Sequence, residues 1–163
     1  MTKINTKKIG NIGEAKILCK FVELGIPVYI PFGDNEKADL IADFNGRLNK
    51  IQIKTSQISK NGKSVFHLET SFTHRRKGVR HKYTPSEIDY FACYNLDRDC
   101  IYLIKINKPI TSISIRYAKA KNNQLNNVNL EKKYLIENVL CVETLHDVPK
   151  SLEDKVKTKS RLQ

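Results

Sequence analysis

Acidic side chains are in short supply in this chain of 163 residues: 17 Asp and Glu stand against 29 Lys and Arg, a formal net charge of +12. An excess of that size over so short a length favours polyanionic partners, nucleic acid first, with a merely soluble basic protein as the plain alternative. Also missing is any apolar run of membrane-spanning length, and the basic start Met1 to Lys8 is not followed by the apolar stretch of a signal peptide. The expectation is a soluble cytoplasmic protein with no membrane partner. Cys19, Cys93, Cys100 and Cys141 form no C-x-x-C pair and have no neighbouring His at zinc-ligand spacing, so they read as buried thiols in a reducing compartment. No internal repeat is present. The length suits one core, read as a single domain over residues 1–150 with a charged, frayed tail over 151–163.

From Ile12 to Leu24 the apolar residues Ile17, Leu18, Phe21 and Val22 recur at helical spacing, and Gly25 ends the pattern. Glu14 stands three, four and seven residues before Ile17, Leu18 and Phe21, on the stripe that packs inward, where a carboxylate wants a partner or a metal. Ile26 to Phe32, with Val28, Tyr29 and Ile30 between two prolines, suits a short edge strand. Val65 to Phe72 reads as a strand with Glu69 on its polar side. Thr84 and Pro85 open a short helical turn. Asp89 to Tyr94 and Ile101 to Ile106 read as two buried strands, Ile113 to Arg116 as a short one, and Leu130 to Leu140 as holding a short helix.

Asn45-Gly46 is the strongest hairpin signal in the chain. With these two residues at the centre of the turn, Phe44 pairs with Arg47, Leu40 with Ile51, and Asp39 stands opposite Gln52, with Cβ atoms about 5 Å apart. The period of two then puts Lys54 on the face of Gln52 while Ile51 and Ile53 turn to the core. A slip of one residue would put Asp39 on the wrong face.

At Gly13-Glu14, Asp39, Gln52-Ile53-Lys54 and Asp89-Tyr90-Phe91-Ala92 the chain resembles the PD-(D/E)XK nucleases, the restriction-endonuclease-like superfamily. More narrowly it is similar to the group I intron-associated homing endonucleases, and more distantly to archaeal Holliday-junction resolvases. The resemblance spans about Gly10 to Gln124. It implies an α/β fold, a central mixed sheet flanked by helices, with Asp39 to Thr55 as the catalytic hairpin. By position it makes Asp39 the metal-binding aspartate, Lys54 the motif lysine, Gln52 the second acidic position and Glu14 the glutamate of the first helix. Ala38 stands where the motif has proline, and Gln52 replaces a carboxylate.

The chemistry follows from the residues as well. Mg²⁺ takes hard oxygen ligands and keeps several waters, so Asp39, the Gln52 amide oxygen and the Ile53 backbone carbonyl, with a substrate phosphate, suffice; Mn²⁺ is the natural substitute. Glu14 reads as a group behind the ion or on a second ion rather than the main ligand, placed to restore the charge that Gln52 lacks. Lys54 would orient the attacking water or brace the phosphoryl group. The plainer readings are a solvated strand lysine beside a polar neighbour, and a decayed site in a basic binding protein. Glu69 is the reserve ligand if Gln52 points away; Asp43 and Asp89 read as structural, and His67, His74 and His81 as surface or phosphate-contacting residues.

For double-stranded DNA, the contacts read from the sequence are Arg75, Arg76, Lys77, Arg80 and Lys82 in one basic loop, whose plainer reading is a solvated charged loop, and Arg116 near a second polar region that includes Lys119 to Gln124. Cutting both strands with one centre per chain calls for a homo-oligomer, a dimer or tetramer. The expected activity is a Mg²⁺-dependent DNA endonuclease of the homing type, with junction resolution as the alternative.

Overall fold

A computed structural model describes residues 5–33, 36–71, 80–118 and 128–146. Helix α1 (Thr6–Glu23) starts six residues before the apolar spacing does, because the Asn5 side chain accepts the Lys7 N–H at 2.9 Å and caps the first turn. It ends where expected, at Leu24 and a left-handed Gly25 (φ 69°). Its buried stripe is Ile9, Gly13, Ile17 and Phe21, a strict spacing of four. Val22 is 62% exposed. Glu14 is solvent-facing too, roughly 100° round the helix from Gly13, so it lies on the margin of the packed face and not within it.

The strands follow as β1 (Val28–Tyr29), β2 (Leu40–Phe44), β3 (Arg47–Ser56), β4 (Ser59–Lys60), β5 (Lys63–His67), β6 (Thr70–Ser71), β7 (Arg80–His81), β8 (Tyr90–Asn95), β9 (Cys100–Lys105), β10 (Ser112–Arg116) and β11 (Asn129–Leu130). A short 3-10 turn at Glu131–Lys133 leads to helix α2 (Ile136–His146). The main sheet runs β1-β2-β3-β8-β9 and is mixed: β3 and β8 are parallel, their neighbours antiparallel. A second sheet runs β11-β10-β5-β4, and β6 with β7 forms a small ribbon.

Two cores result, one on each face of the main sheet. Ile17 and Phe21 of α1 and Ile136 and Leu140 of α2 pack on Leu40, Ala42, Ile51, Ile53, Tyr90 and Ala92. Phe66, Ile113 and Ile115 of the second sheet pack on the opposite face, against Phe91, Cys93, Tyr102 and Ile104. Strand β8 is therefore buried on both faces, which is why its sequence is apolar without alternation. The flanking helices share one face, and the second sheet covers the other.

Two expectations are corrected. The strand read over Val65 to Phe72 is divided in two: β5 ends at His67, with the Leu68 N–H still bonded to Thr111 O, and the chain then leaves β10 to pair with β7 from Thr70; Phe72 lies outside the described residues. Of the four thiols only Cys93 is buried and Cys100 half-buried; Cys19 and Cys141 are exposed, since each falls beside rather than on its helix's packed stripe.

The hairpin has the register that its turn predicts, with Leu40 opposite Ile51 and Phe44 opposite Arg47. Asn45 (φ 54°) and Gly46 (φ 86°) are both left-handed, and the Gly46 N–H donates to Asp43 Oδ1 at 2.6 Å, so Asp43 belongs to the turn. Gly46→Val should cost about 1–2 kcal/mol by forcing a β-branched residue into that region. Thermal unfolding should shift down by roughly 2–8 °C for a chain of this size. An unchanged midpoint would mean that this turn does not hold the register.

Candidate active site

Strand β2 starts at Leu40, opposite Ile51, and offers β3 no backbone partner from Gln52 onward. The Asp39 carboxylate takes over. Its Oδ2 accepts the Ile53 N–H at 2.6 Å and a hydrogen bond from Gln52 Nε2, while the Asp39 N–H donates to Ile51 O at 2.9 Å. Gln52 Nε2 also lies 3.4 Å from the Ile53 carbonyl. One buried amide, one carboxylate and one backbone carbonyl therefore share a spot at the end of the β2–β3 ladder.

Lys54, next on the same face as Gln52, is half-buried and donates to Thr70 Oγ1 at 3.3 Å, with Nζ 5.1 Å from the centre of the Tyr83 ring. Glu14, exposed on α1, lies near enough to Asp39 to feel its charge. The helix can lie this close to β3 because residue 13 is glycine: a Cβ there would sit 1.8 Å from Thr55 Oγ1 and 2.9 Å from Thr55 Cβ. The Thr55 hydroxyl is buried against that bare Cα, with no hydrogen-bond partner among the described residues.

The electrostatics show an unbalanced anionic pair. Burial pushes the Asp39 carboxyl above the ordinary range, against the Ile53 N–H, the Lys54 charge and the Gln52 amide, which pull it down. Glu14 is raised by burial first and by the Asp39 charge second. Lys54 is lowered by burial, with Asp39 opposing the shift. No group of three or more His, Cys, Asp or Glu stands at metal-binding spacing among the described residues. A hard divalent cation that keeps its waters needs only one or two carboxylates plus neutral oxygens. The Asp39 and Glu14 carboxylates and the Ile53 carbonyl fit that need, and Gln52 fits it once its amide turns to present Oε1 instead of Nε2.

The structure therefore brings Asp39, Gln52 and Ile53 into contact, with Lys54 and Glu14 within electrostatic reach of Asp39. It engages Glu69 elsewhere, in an ion pair with Arg80 at 3.3 Å. Asp89 accepts the Lys50 N–H at 2.8 Å and closes the start of the β3–β8 pair. His81 pairs with Glu87 at 2.9 Å, and His67 is exposed at the end of β5. Of the basic positions, Arg80 and Lys82 are exposed, and Arg116 is half-buried on β10 in the second sheet. Arg75, Arg76, Lys77, His74 and Lys119 to Gln124 lie outside the described residues. Thr70 and Tyr83 were not anticipated, since they sit in short polar segments whose pattern carries no sign of the site.

Two outcomes follow from this geometry. Gly13→Ala should destabilise the fold by about 1–3 kcal/mol through overpacking, and adding Thr55→Ala should recover part of that loss in chemical denaturation. A neutral Gly13→Ala would mean that α1 does not need this approach. The raised Glu14 means that its contribution to stability is greatest at low pH and is lost as pH rises through its folded-state pKa. Without divalent cation, Glu14→Gln should thus melt higher than the native chain at neutral pH, and the difference should vanish in acid; a lower melting point at neutral pH would contradict this.

A family model described as PD-(D/E)XK endonuclease matches residues 4–137. The solved structure of a bacterial homing endonuclease, I-Ssp6803I, is similar with a TM-score of 0.69 and 22% identity, covering 86% of this chain and 95% of that one. The fold is thus the restriction-endonuclease-like α/β arrangement. No curated protein matches the chain.

Proposed function

For a chain that belongs to the PD-(D/E)XK endonuclease family, we propose a Mg²⁺-dependent DNA endonuclease, site-specific and of the homing type, acting in the cytoplasm as a single nuclease domain over residues 1–150. The observation that carries this reading is the convergence of Asp39, Gln52 and Ile53 O, with Lys54 and Glu14 close enough to interact electrostatically with Asp39. The similarity to a homing endonuclease supports the finer assignment.

Asp39, the Ile53 carbonyl and the Gln52 amide oxygen would hold Mg²⁺, or Mn²⁺ in its place, and Glu14 would add the second negative charge. Bound there, the ion would supply Lewis-acid stabilisation of the phosphate oxygens and a more acidic water. Lys54 orients the attacking water or braces the phosphoryl group with an ammonium that has three donors and spends one on Thr70. Arg80 and Lys82, with Arg75, Arg76 and Lys77 between β6 and β7, and Arg116 contact the phosphates of duplex DNA and set its position rather than read its sequence. The net charge of +12 supports such contacts. Both strands are cut by a homo-oligomer, a dimer or tetramer, and exposed Tyr29, Ile30 and Phe32 at the free edge of the main sheet suit burial between copies.

The test is cleavage of a supercoiled plasmid library carrying randomised inserts, with cut ends recovered by sequencing, beside a four-way junction of fixed sequence. The native chain should cut a subset of the duplex inserts with Mg²⁺ and nothing with excess chelator. Asp39→Ala should lower the rate at least about a hundredfold while DNA binding persists. Cutting confined to the junction would make the chain a resolvase; binding without any cutting would make it a basic binding protein with a decayed site.

A further inference from the structure

We infer that Thr70 and Tyr83 are positioning residues that fix the direction of the Lys54 ammonium, an assignment that rests on the nuclease reading. Lys54 comes from β3 of the main sheet, Thr70 from β6, and Tyr83 from the segment just after β7. Lys54 Nζ donates to Thr70 Oγ1 at 3.3 Å, and the Thr70 and Tyr83 hydroxyls share a hydrogen bond of 2.9 Å. The same Nζ stands 5.1 Å from the Tyr83 ring centre, a cation–π distance.

A lysine has four carbons of free rotation and about 2 kcal/mol of rotamer entropy, so an ammonium left to itself has no fixed direction. Here an acceptor on one side and a π-face on another restrict it, and the remaining N–H groups are left for the phosphate or the water.

Tyr83 is itself immobilised. It is 4% exposed, with its ring edge-on to Phe91 at 5.6 Å and to His81 at 5.2 Å, and His81 is held in turn by Glu87 at 2.9 Å. The core around Phe91 and Leu68 calls only for an apolar ring at position 83. The hydroxyl is the part that the packing does not require, and it is directed at Thr70 and so at Lys54. Small errors in the placement of a reacting group cost large factors in rate, which gives the bracket its effect.

The experiment compares native, Thr70→Val, Thr70→Ser, Tyr83→Phe and Tyr83→Leu chains on the plasmid library above. It reads the single-turnover cutting rate at saturating protein, the affinity for the same DNA without divalent cation, and the melting point. Thr70→Val, close in shape but without the hydroxyl, should cut on the order of tenfold more slowly, the loss expected for a hydrogen bond to a charged group. Its DNA affinity should match the native chain, its melting point should fall only slightly as the Tyr83 hydroxyl loses its partner, and Thr70→Ser should restore the rate to within about twofold of native. Tyr83→Phe, which keeps the ring, should slow cutting less than Tyr83→Leu. Native-rate cutting by Thr70→Val, equal slowing in Thr70→Ser, or a defect confined to affinity or melting overturns the assignment while leaving the nuclease reading intact. A native chain that cuts nothing overturns both.

Discussion

A single carboxylate stitches the ends of two strands. Asp39 precedes β2 by one residue, and its Oδ2 accepts a backbone N–H and a side-chain amide from the strand opposite. An N–H that the short β2 would leave unsatisfied inside the sheet is thereby paired, and the carboxylate is drawn in where burial raises its pKa. Everything proposed for this protein depends on that substitution of side chain for backbone. It fixes Gln52 beside the charge, leaves the Ile53 carbonyl at hand, and sends Lys54 out along the same face.

The cost is electrostatic. Two carboxylates with raised pKa values share one region, and Lys54, the cation that pulls Asp39 down, is itself weakened by burial. A domain built only for stability would not hold Glu14 within reach of the Asp39 charge. Such local sacrifices are usual where groups are kept ready for a ligand that relieves them. The replacement of a carboxylate by Gln52 moderates the imbalance, since its amide can donate to Asp39 when no ion is present.

Much of this geometry was legible in the sequence because a two-residue turn of left-handed residues leaves little freedom of register. Asn45-Gly46 alone determines which of Asp39, Gln52 and Lys54 share a face. The helix was harder to read. Apolar spacing put Val22 and Glu14 on the buried side, whereas the packed stripe runs through Ile9 and Gly13, and a glycine carries no hydrophobic signal. The layers were only partly visible: both-face burial of β8 leaves no period to read, and the second sheet that covers it is made of short strands separated by long intervals of sequence. Thr70 and Tyr83 escaped for the same reason, because a contact between segments distant in sequence leaves no mark in either.

The most direct measurement is a crystal structure of the chain with duplex DNA and a non-reactive divalent cation such as Ca²⁺. The account predicts an ion against the Asp39 carboxylate and the Ile53 carbonyl, Gln52 turned so that Oε1 faces the ion, and a phosphate oxygen completing the set beside Lys54. An Asp39 still accepting from Gln52 Nε2, with no ion beside it and the DNA backbone elsewhere, would contradict it.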